Sequence, residues 1–443
     1  MKKEMKYGSK VNLAALACIV LAVYFPVLSN DFLYNWDDQW QVMNQFTEGG
    51  FHVNNFWVIL TDSFHGQYSP VNQIMYAIIY SIAGYNPFAF HLASLLLHIG
   101  SVSLAYIIIL CILNRRKTNE MHHSGLEATS MKQTVSSEHK SMAFITALLF
   151  AVHPLNVETV AWLSASKILV FTFFYLAATY TFIIYLERQK ISYYILTLLL
   201  FALSFGGKEQ AVTFPVWLLM LYWLLGYSLR VRKVWIQLIP FFALAIVFSI
   251  ITMVSINAGF SDLLSNEENY PLWQRFIFGC YSLFEYLAKF LFPYKLLYIY
   301  PFPIEPGEAV PGWMLFYPVL LVTVVGVLWK YIAKIPLFSG LIFFLIHLAL
   351  VLHIVPLSRY AIIADRYIYL SSIGLSFIIA FYLVRNLTLR TRLVRNTLVG
   401  LFIGIVVYLG IYSNLRCREW KDMELIKRDL KEIIMQHEDF KNP

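Results

Sequence analysis

The sequence predicts an all-α integral membrane protein, and three observations support this fold class. The chain has 443 residues, of which 59% are hydrophobic and only 14% are charged, whereas soluble domains carry about 25% charged residues. Apolar segments of roughly 15 to 25 residues recur along the chain, which is the length that a helix needs to cross a bilayer. The short segments of alternating hydrophobicity that a spanning barrel requires are not seen.

The apolar segments predict about eleven membrane spans, of which the first ends near Leu28. Segment 272–293 has the period of a helix but carries charged residues, so we expect it to lie at the membrane interface rather than to span it. The other expected spans are 88–113, 141–153, 167–186, 192–206, 211–226, 234–256, 313–330, 337–355, 370–384 and 396–413.

The distribution of charge predicts how these spans are oriented. No lysine or arginine occurs between Lys10 and Arg115, although five carboxylates do. Cytoplasmic loops are enriched in Lys and Arg, so this stretch predicts an extracytoplasmic loop. The expected organisation is a membrane domain over 1–413, with a first extracytoplasmic loop at 29–87, a cytoplasmic linker at 114–140, an extracytoplasmic loop at 257–312 and an exposed extracytoplasmic C-terminal helix at 414–443.

Composition also narrows the classes of partner. The net charge is +8, but the cations gather in short loops, which indicates membrane orientation rather than a nucleic-acid surface. The four cysteines show no CxxC or Cys/His spacing, so neither a zinc site nor a disulfide framework is indicated. We expect membrane lipids as partners, and no nucleic acid.

Polar groups collect in the loops of the predicted outer face. Ionisable residues near membrane depth are costly and mark function, so this one-sided arrangement predicts a polar site at the outer boundary of the membrane. The candidate site residues are the carboxylates Asp37, Asp38, Glu158, Glu209 and Asp365, the cations Lys167, Lys208, Arg359 and Arg366, and the side chains Tyr68 and His153.

These residue types fit a reaction on a phosphate-linked lipid. Cations bind an anionic phosphate, and a carboxylate without a cationic neighbour serves as a general base. The doublet Asp37 and Asp38 has no lysine or arginine near it in the sequence. A cation beside it would lower the pKa of the carboxylate and weaken it as a base.

Each of these features also has a structural interpretation. The doublet fits a helix cap or a solvated loop, Tyr68 a turn, and His153 the start of a helix. Lys208 and Glu209 fit a surface pair, which contributes little, and Asp365 with Arg366 fits a structural ion pair.

Six segments in order along the chain resemble one family, the GT-C superfamily of polytopic glycosyltransferases. The nearest branch is the transmembrane and tetratricopeptide-repeat O-mannosyltransferases, in a bacterial form without the repeats; the protein O-mannosyltransferases are similar more distantly. The segments are NWDDQWQVMNQ (35–45), YSPVNQIMYAIIYSIAGYNPFAFHLASLLLH (68–98), FAVHPLNVETVAWLS (150–164), GGKEQAVTFP (206–215), FLFPYKLLYIYP (290–301) and ADRYIYLSSIG (364–374).

The resemblance implies an inverting transfer of a sugar from a polyprenyl-phosphate donor to a hydroxyl, foremost Ser or Thr of a protein. It implies that Asp37 is the general base and that Asp38 supports it or meets the acceptor. Lys208 and Arg366 fall on positions suited to the lipid phosphate, and we assign Lys167 and Arg359 to the same group. His153 and Glu158 fall on an HP-x-x-x-E motif of the second outer loop.

The resemblance also bears on cofactors and location. Relatives carry Asp or Asn where this chain has Lys167 and Ile168, so we expect no metal and no other cofactor. We expect a bacterial inner-membrane protein with an extracytoplasmic active site. Three alternatives stay open: transfer to a lipid or envelope glycan, a lipid or sugar transporter or flippase, and a non-catalytic scaffold that binds a lipid-linked sugar.

Overall fold

The computed structural model describes residues 7–124, 131–259, 270–332, 334–353, 361–428 and 430–431. Arg359, one of the expected phosphate ligands, lies outside the described residues. So do parts of the 114–140 linker and of the 257–312 loop, and most of the segment after 431.

The described chain is helical, and its only β-structure is two isolated bridges, Phe64 with Gln67 and Tyr300 with Ile363. The predicted all-α membrane fold is confirmed. In chain order the α-helices are α1 (Tyr7–Tyr24), α2 (Asp38–Gln41), α3 (Gln45–Glu48), α4 (Val53–Thr61), α5 (Pro70–Ala83), α6 (Pro87–Ser124), α7 (Met131–Val152), α8 (Val157–Ala161), α9 (Ser166–Arg188), α10 (Ile191–Phe205), α11 (Phe214–Leu224), α12 (Arg232–Gly259), α13 (Leu272–Leu291), α14 (Phe316–Ile332), α15 (Ile335–Leu348), α16 (Ser372–Leu389) and α17 (Arg392–Glu419). Short 3-10 turns lie at Phe25–Ser29, Pro154–Asn156, Leu163–Ala165, Glu209–Thr213, Gly312–Leu315, Ala349–Val351 and Asp365–Ile368.

Seven helices among the described residues are long and apolar enough to cross a membrane, or eight if one bent pair is a single span. That pair is α7 with the stretch Pro154–Ala161, and it bends by 57°. The other expected spans fall on the shorter helices α10, α11 and α15. The expected count of about eleven is therefore not confirmed. Helix α13, expected at the interface, is not among the candidate spans.

Helix α9 lies at the centre of the bundle. Its span is the most buried of the candidates, at 78%, whereas the span that contains α14 is 6% buried. Helices α6 and α10 pack directly against α9, and α7 packs between α6 and α16. The apolar sequence of α9 is thus buried in protein, whereas that of α14 is left to face lipid.

The C-terminal part of the membrane domain differs from expectation in one respect. The expected boundary at 413 lies inside α17, and the helix continues to Glu419. In the part of the 414–443 segment that the structure describes, one face is buried, with Arg416, Trp420 and Ile426, and Leu415 and Arg418 are exposed. Arg416 pairs inside the protein with Asp365, at 3.0 Å. The expected domain boundaries stay a prediction.

Candidate active site

The acidic doublet lies in a turn at the start of α2. Asp37 has a φ of +76° and precedes the helix, a conformation that Asp and Asn adopt more readily than most residues. Its side chain is half-buried, and its Oδ1 accepts a hydrogen bond from Trp40 Nε1 at 3.1 Å. Asp37 therefore retains a partly exposed carboxylate.

Asp38, by contrast, is fully buried and joins two loops. Its Oδ2 accepts from the backbone N–H of Leu33 at 2.8 Å. Its Oδ1 accepts from the backbone N–H of Ser164 at 3.0 Å and from the Ser164 hydroxyl at 2.5 Å. Burial raises the pKa of Asp38 to about 7, against the lowering effect of these hydrogen bonds. The arrangement suits a supporting role better than contact with an acceptor.

Arg366 is held by Glu158, a carboxylate in α8. Its Nη1 donates to Glu158 Oε1 at 2.5 Å, and its backbone N–H donates to Glu158 Oε2 at 2.7 Å. The guanidinium lies over the rings of Trp162, at 5.1 Å, and Tyr367, at 4.9 Å. Burial lowers the pKa of Arg366, but its interactions with Glu158 and Tyr367 together outweigh burial and raise that pKa. The side chain is still 22% exposed, so it can meet a ligand.

Two lysines lie beside this arginine. Lys208 Nζ lies 4.9 Å from the centre of the Tyr367 ring, and Lys167 Nζ donates to Gln67 Oε1 at 2.6 Å. Lys167 is close enough to Lys208, Glu209 and Arg366 to interact with each electrostatically. We call Lys167, Lys208 and Arg366 the cation cluster. The three cations of this cluster outnumber the nearby carboxylates Glu158 and Glu209, and this excess of positive charge favours an anionic ligand such as a phosphate.

Aromatic and amide contacts connect the doublet to the cation cluster. Trp162, which lies under Arg366, donates through Nε1 to the carbonyl of Trp36 at 3.0 Å, and Trp36 immediately precedes Asp37. Gln67, which binds Lys167, also accepts from Gln41 Nε2 of α2 at 2.7 Å. The structure thus gathers the two predicted groups at one end of the bundle.

A pair of glycines makes a further loop contact possible. The carbonyl of Gly206 accepts from the backbone N–H groups of Val71, at 2.9 Å, and Asn72, at 3.3 Å. A Cβ on Gly207 would lie 2.5 Å from the backbone nitrogen of Phe171. The loop therefore requires glycine in order to approach α9 and to place Lys208 beside Lys167.

Two of the expected site residues, Tyr68 and His153, make contacts within the fold. The Tyr68 hydroxyl donates to the carbonyl of Leu60 at 2.9 Å. His153 is buried, accepts from the backbone N–H of Leu155, contacts the Phe290 carbonyl at 2.9 Å and stacks on the Phe290 ring. These contacts support the interpretation of Tyr68 as part of a turn and of His153 as the start of a helix. Glu209 is partly exposed, in the 3-10 turn that follows Lys208.

Asp365 and Arg366 do not pair with each other. Asp365 is buried and accepts from Tyr300 OH at 2.9 Å and from Arg416 Nη2 at 3.0 Å. Burial raises the pKa of Asp365 to about 6, and Arg416 opposes that shift. Arg416 also donates to the carbonyls of Leu296 and Leu297, which fixes its position. Because Asp365 is bound to this fixed arginine, it holds the turn that carries Arg366.

Sequence reasoning missed four residues that shape this end of the molecule: Trp162, Gln67, Arg416 and Trp420. Trp420 is buried and stacks on Trp162, with ring centres 5.8 Å apart. One signal was available for Arg416, because a cation at the end of an apolar span needs a partner. None was available for the other three, whose importance depends on contacts between distant segments.

The described residues contain no group of three or more His, Cys, Asp or Glu side chains that could hold a metal ion. The expectation of metal-independent chemistry stays a prediction.

Comparison with known proteins supports the interpretation of the motifs. Residues 135–253 match a family model described as dolichyl-phosphate-mannose-protein mannosyltransferase, and that stretch includes Glu158, Lys167 and Lys208. The resemblance to the GT-C superfamily of glycosyltransferases, in its protein mannosyltransferase-like branch, is confirmed.

Individual relatives point the same way. The chain is 32% identical over 129 residues to the Drosophila melanogaster protein O-mannosyl-transferase Tmtc3, covering 28% of this chain and 13% of that protein. It is 27% identical over 164 residues to the human protein O-mannosyl-transferase TMTC1, covering 35% and 15%. It is 24% identical over 226 residues to the human protein O-mannosyl-transferase TMTC4, covering 47% of this chain and 28% of that protein. The matched part is thus less than a third of each relative's length.

Proposed function

We propose that the protein is an inverting glycosyltransferase that moves a sugar from a polyprenyl-phosphate donor to a hydroxyl acceptor. The observation that carries the proposal is the cation cluster, which the Trp36–Trp162 contact connects to the turn that presents Asp37. Nearby cations and an accessible carboxylate are the two groups that such a transfer needs.

On the donor side, the cations act on the leaving group. Arg366, Lys208 and Lys167 bind the phosphate of the lipid-linked sugar. As the bond between the sugar carbon and the phosphate oxygen breaks, they stabilise the charge that develops on the departing polyprenyl phosphate. The donor is a phosphate diester, and its leaving group, the polyprenyl phosphate monoester, departs as a stable anion, so no general acid is required. The apolar faces of the bundle accommodate the lipid tail.

On the acceptor side, Asp37 takes the proton from the acceptor hydroxyl. The oxygen of that hydroxyl forms the new bond to the sugar carbon, with inversion. None of the hydrogen-bond donors to Asp37 and Asp38 is a cation. Asp38 fixes the turn that presents Asp37.

The acceptor we propose is Ser or Thr of a protein, because the relatives are named protein O-mannosyl-transferases, and mannose is the first sugar to try. We place the reaction on the extracytoplasmic face, because the first loop lacks Lys and Arg. The membrane that we propose is a bacterial inner membrane.

The test uses purified protein in nanodiscs and a panel of polyprenyl-phosphate sugars. Release of free polyprenyl phosphate is followed by mass spectrometry, with and without Ser- or Thr-containing peptides. We expect release that rises with peptide and falls about 10²- to 10⁴-fold in Asp37→Asn, the range for loss of a general base.

The matched control is Asp31→Asn, an exposed carboxylate in the same loop, which should release lipid at the wild-type rate. Normal release by Asp37→Asn would refute the role of Asp37. Release that rises with glycolipids and not with peptides would move the acceptor to a lipid or envelope glycan. If no donor in a panel that includes polyprenyl-phosphate mannose is consumed, the transferase proposal fails in favour of a transporter or a scaffold.

A further inference from the structure

A second polar site lies at the opposite end of α9 from the candidate active site. Lys167 is in the first turn of that helix and Arg188 is in the last. At 1.5 Å per residue the two ends are about 30 Å apart. Whatever occupies this second site therefore does not take part in the transfer proposed above.

The site is a cavity of about 110 Å³ near the start of α12. Most of its polar lining consists of hydroxyl, amide and ammonium groups, which can donate hydrogen bonds. The polar residues that line it are Gln189, Tyr222, Tyr227, Ser228, Lys233 and Gln237.

The lining is ordered by contacts between helices. Tyr222 OH donates to Gln237 Oε1, and Gln237 Nε2 donates to Tyr185 OH, each at 2.5 Å. Arg115, from α6, donates to Tyr227 OH. Lys233 Nζ donates to Gln189 Oε1 at 3.2 Å and is exposed at the mouth. The cavity is thus organised before any ligand arrives.

Charge around the mouth is strongly positive. Arg188, Lys190, Arg230 and Arg232 are exposed on the two segments that border the cavity, and Glu187 is the acidic residue among them. An anion is therefore attracted to the mouth of the cavity, where Lys233 has N–H groups beyond the one that binds Gln189 and the Ser228 hydroxyl is exposed.

The surface beside the mouth is apolar and aromatic. Val231, Trp235 and Ile236 are about half exposed, and Trp is enriched where a protein meets the membrane–water interface. An anion with an acyl chain can place its head in the cavity and its chain along these residues, whereas a soluble anion uses only the cavity.

We propose that this cavity binds the phosphate group of an anionic membrane lipid. Basic pockets between helices at a membrane surface are suited to such head groups. The site would make the protein's behaviour depend on the lipid composition of the leaflet opposite the candidate active site.

The test is native mass spectrometry of the full-length protein, titrated in detergent with dioleoyl phosphatidylglycerol or with dioleoyl phosphatidylcholine. We expect preferential retention of phosphatidylglycerol. Lys233→Gln should weaken that retention about fivefold, the effect of one surface cation. Because Lys233 is exposed, the thermal unfolding midpoint of the variant should match wild type.

Lys330→Gln is the matched control, since Lys330 is an exposed lysine near the end of α14; its retention should be unchanged. Equal retention of the two lipids, or equal loss in both variants, would overturn the proposal. Displacement of the lipid by millimolar inorganic phosphate would overturn the assignment to a lipid and leave a site for free phosphate. None of these outcomes depends on glycosyltransferase activity.

Discussion

Two turns of the candidate active site are built in the same way, but different partners stabilise their buried carboxylates. In the first loop, buried Asp38 is the first residue of α2 and its sequence neighbour Asp37 is partly exposed. In the turn before α16, buried Asp365 is followed by partly exposed Arg366. In each, a buried carboxylate fixes the backbone so that the adjacent residue faces the site.

The partners of the two buried carboxylates are different. Asp38 accepts from two backbone N–H groups and a hydroxyl, all neutral, whereas Asp365 pairs with the guanidinium of Arg416. Neutral donors leave no positive charge against the proposed base, whereas the turn that carries Arg366 can tolerate another cation nearby. The partner of each buried carboxylate thus matches the proposed role of the adjacent residue, which is a base at Asp37 and a phosphate ligand at Arg366.

The largest effect on stability should come from the ion pair. Arg416→Met leaves Asp365 buried without its cation, which costs about 3–5 kcal/mol. We expect a large fall in the midpoint of thermal unfolding in detergent. Asp365→Asn combined with Arg416→Met should recover most of that loss, because no buried charge is left. Arg418→Met, at an exposed neighbour, is the control. A double variant as unstable as the single one would contradict the pairing.

The neutral anchor should matter less. Asp38→Asn sets an amide N–H₂ among the donors from Leu33 and Ser164, and an unsatisfied buried donor costs about 1–3 kcal/mol. Asp37→Asn should leave the unfolding midpoint nearly unchanged, since Asn adopts a positive φ readily. Comparing the two midpoints tests the difference between adjacent carboxylates; equal losses would show that Asp38 is no anchor.

Arg366→Lys tests whether the second turn binds the phosphate of the lipid-linked sugar donor. Lysine keeps the charge but lacks the planar fork that binds Glu158 and covers two rings. We expect the KM for the lipid-linked donor to rise about tenfold, corresponding to one charge-assisted hydrogen bond, with a smaller change in kcat. Arg418→Lys should leave both constants unchanged. An unaltered donor KM in Arg366→Lys would argue against phosphate binding at this position.

Asp38 should also give the stability a pH dependence. Its pKa in the folded protein is about 7, above the ordinary value of 3.8. The folded state therefore binds the Asp38 proton more tightly than the unfolded state does. The contribution of this proton to the free energy of unfolding is fully present below about pH 4. It is lost as the pH rises through about 7. The wild-type unfolding midpoint minus that of Asp38→Asn should fall across this range; a flat difference would contradict the raised pKa.

Much of the architecture follows from the chain alone, because membrane insertion depends on local properties. Segment length and hydropathy are enough for an all-α membrane fold, and the order of the motifs is enough for the glycosyltransferase resemblance. Segment length and hydropathy do not establish the number of membrane spans, because α10, α11 and α15 are apolar but short. Whether a short apolar helix crosses the bilayer depends on its neighbours as well as on its own sequence.

The partners of the charged residues depend on long-range contacts, which residue types do not reveal. Adjacent Asp365 and Arg366 look like a pair, yet the folded chain gives them partners at 416 and 158. His153 and Tyr68 have the chemistry of site residues, but their neighbours engage them in structural contacts. Trp420 gains its role only because the end of α17 reaches Trp162. A buried charge must find a partner wherever the packing brings one, and packing joins segments that are hundreds of residues apart.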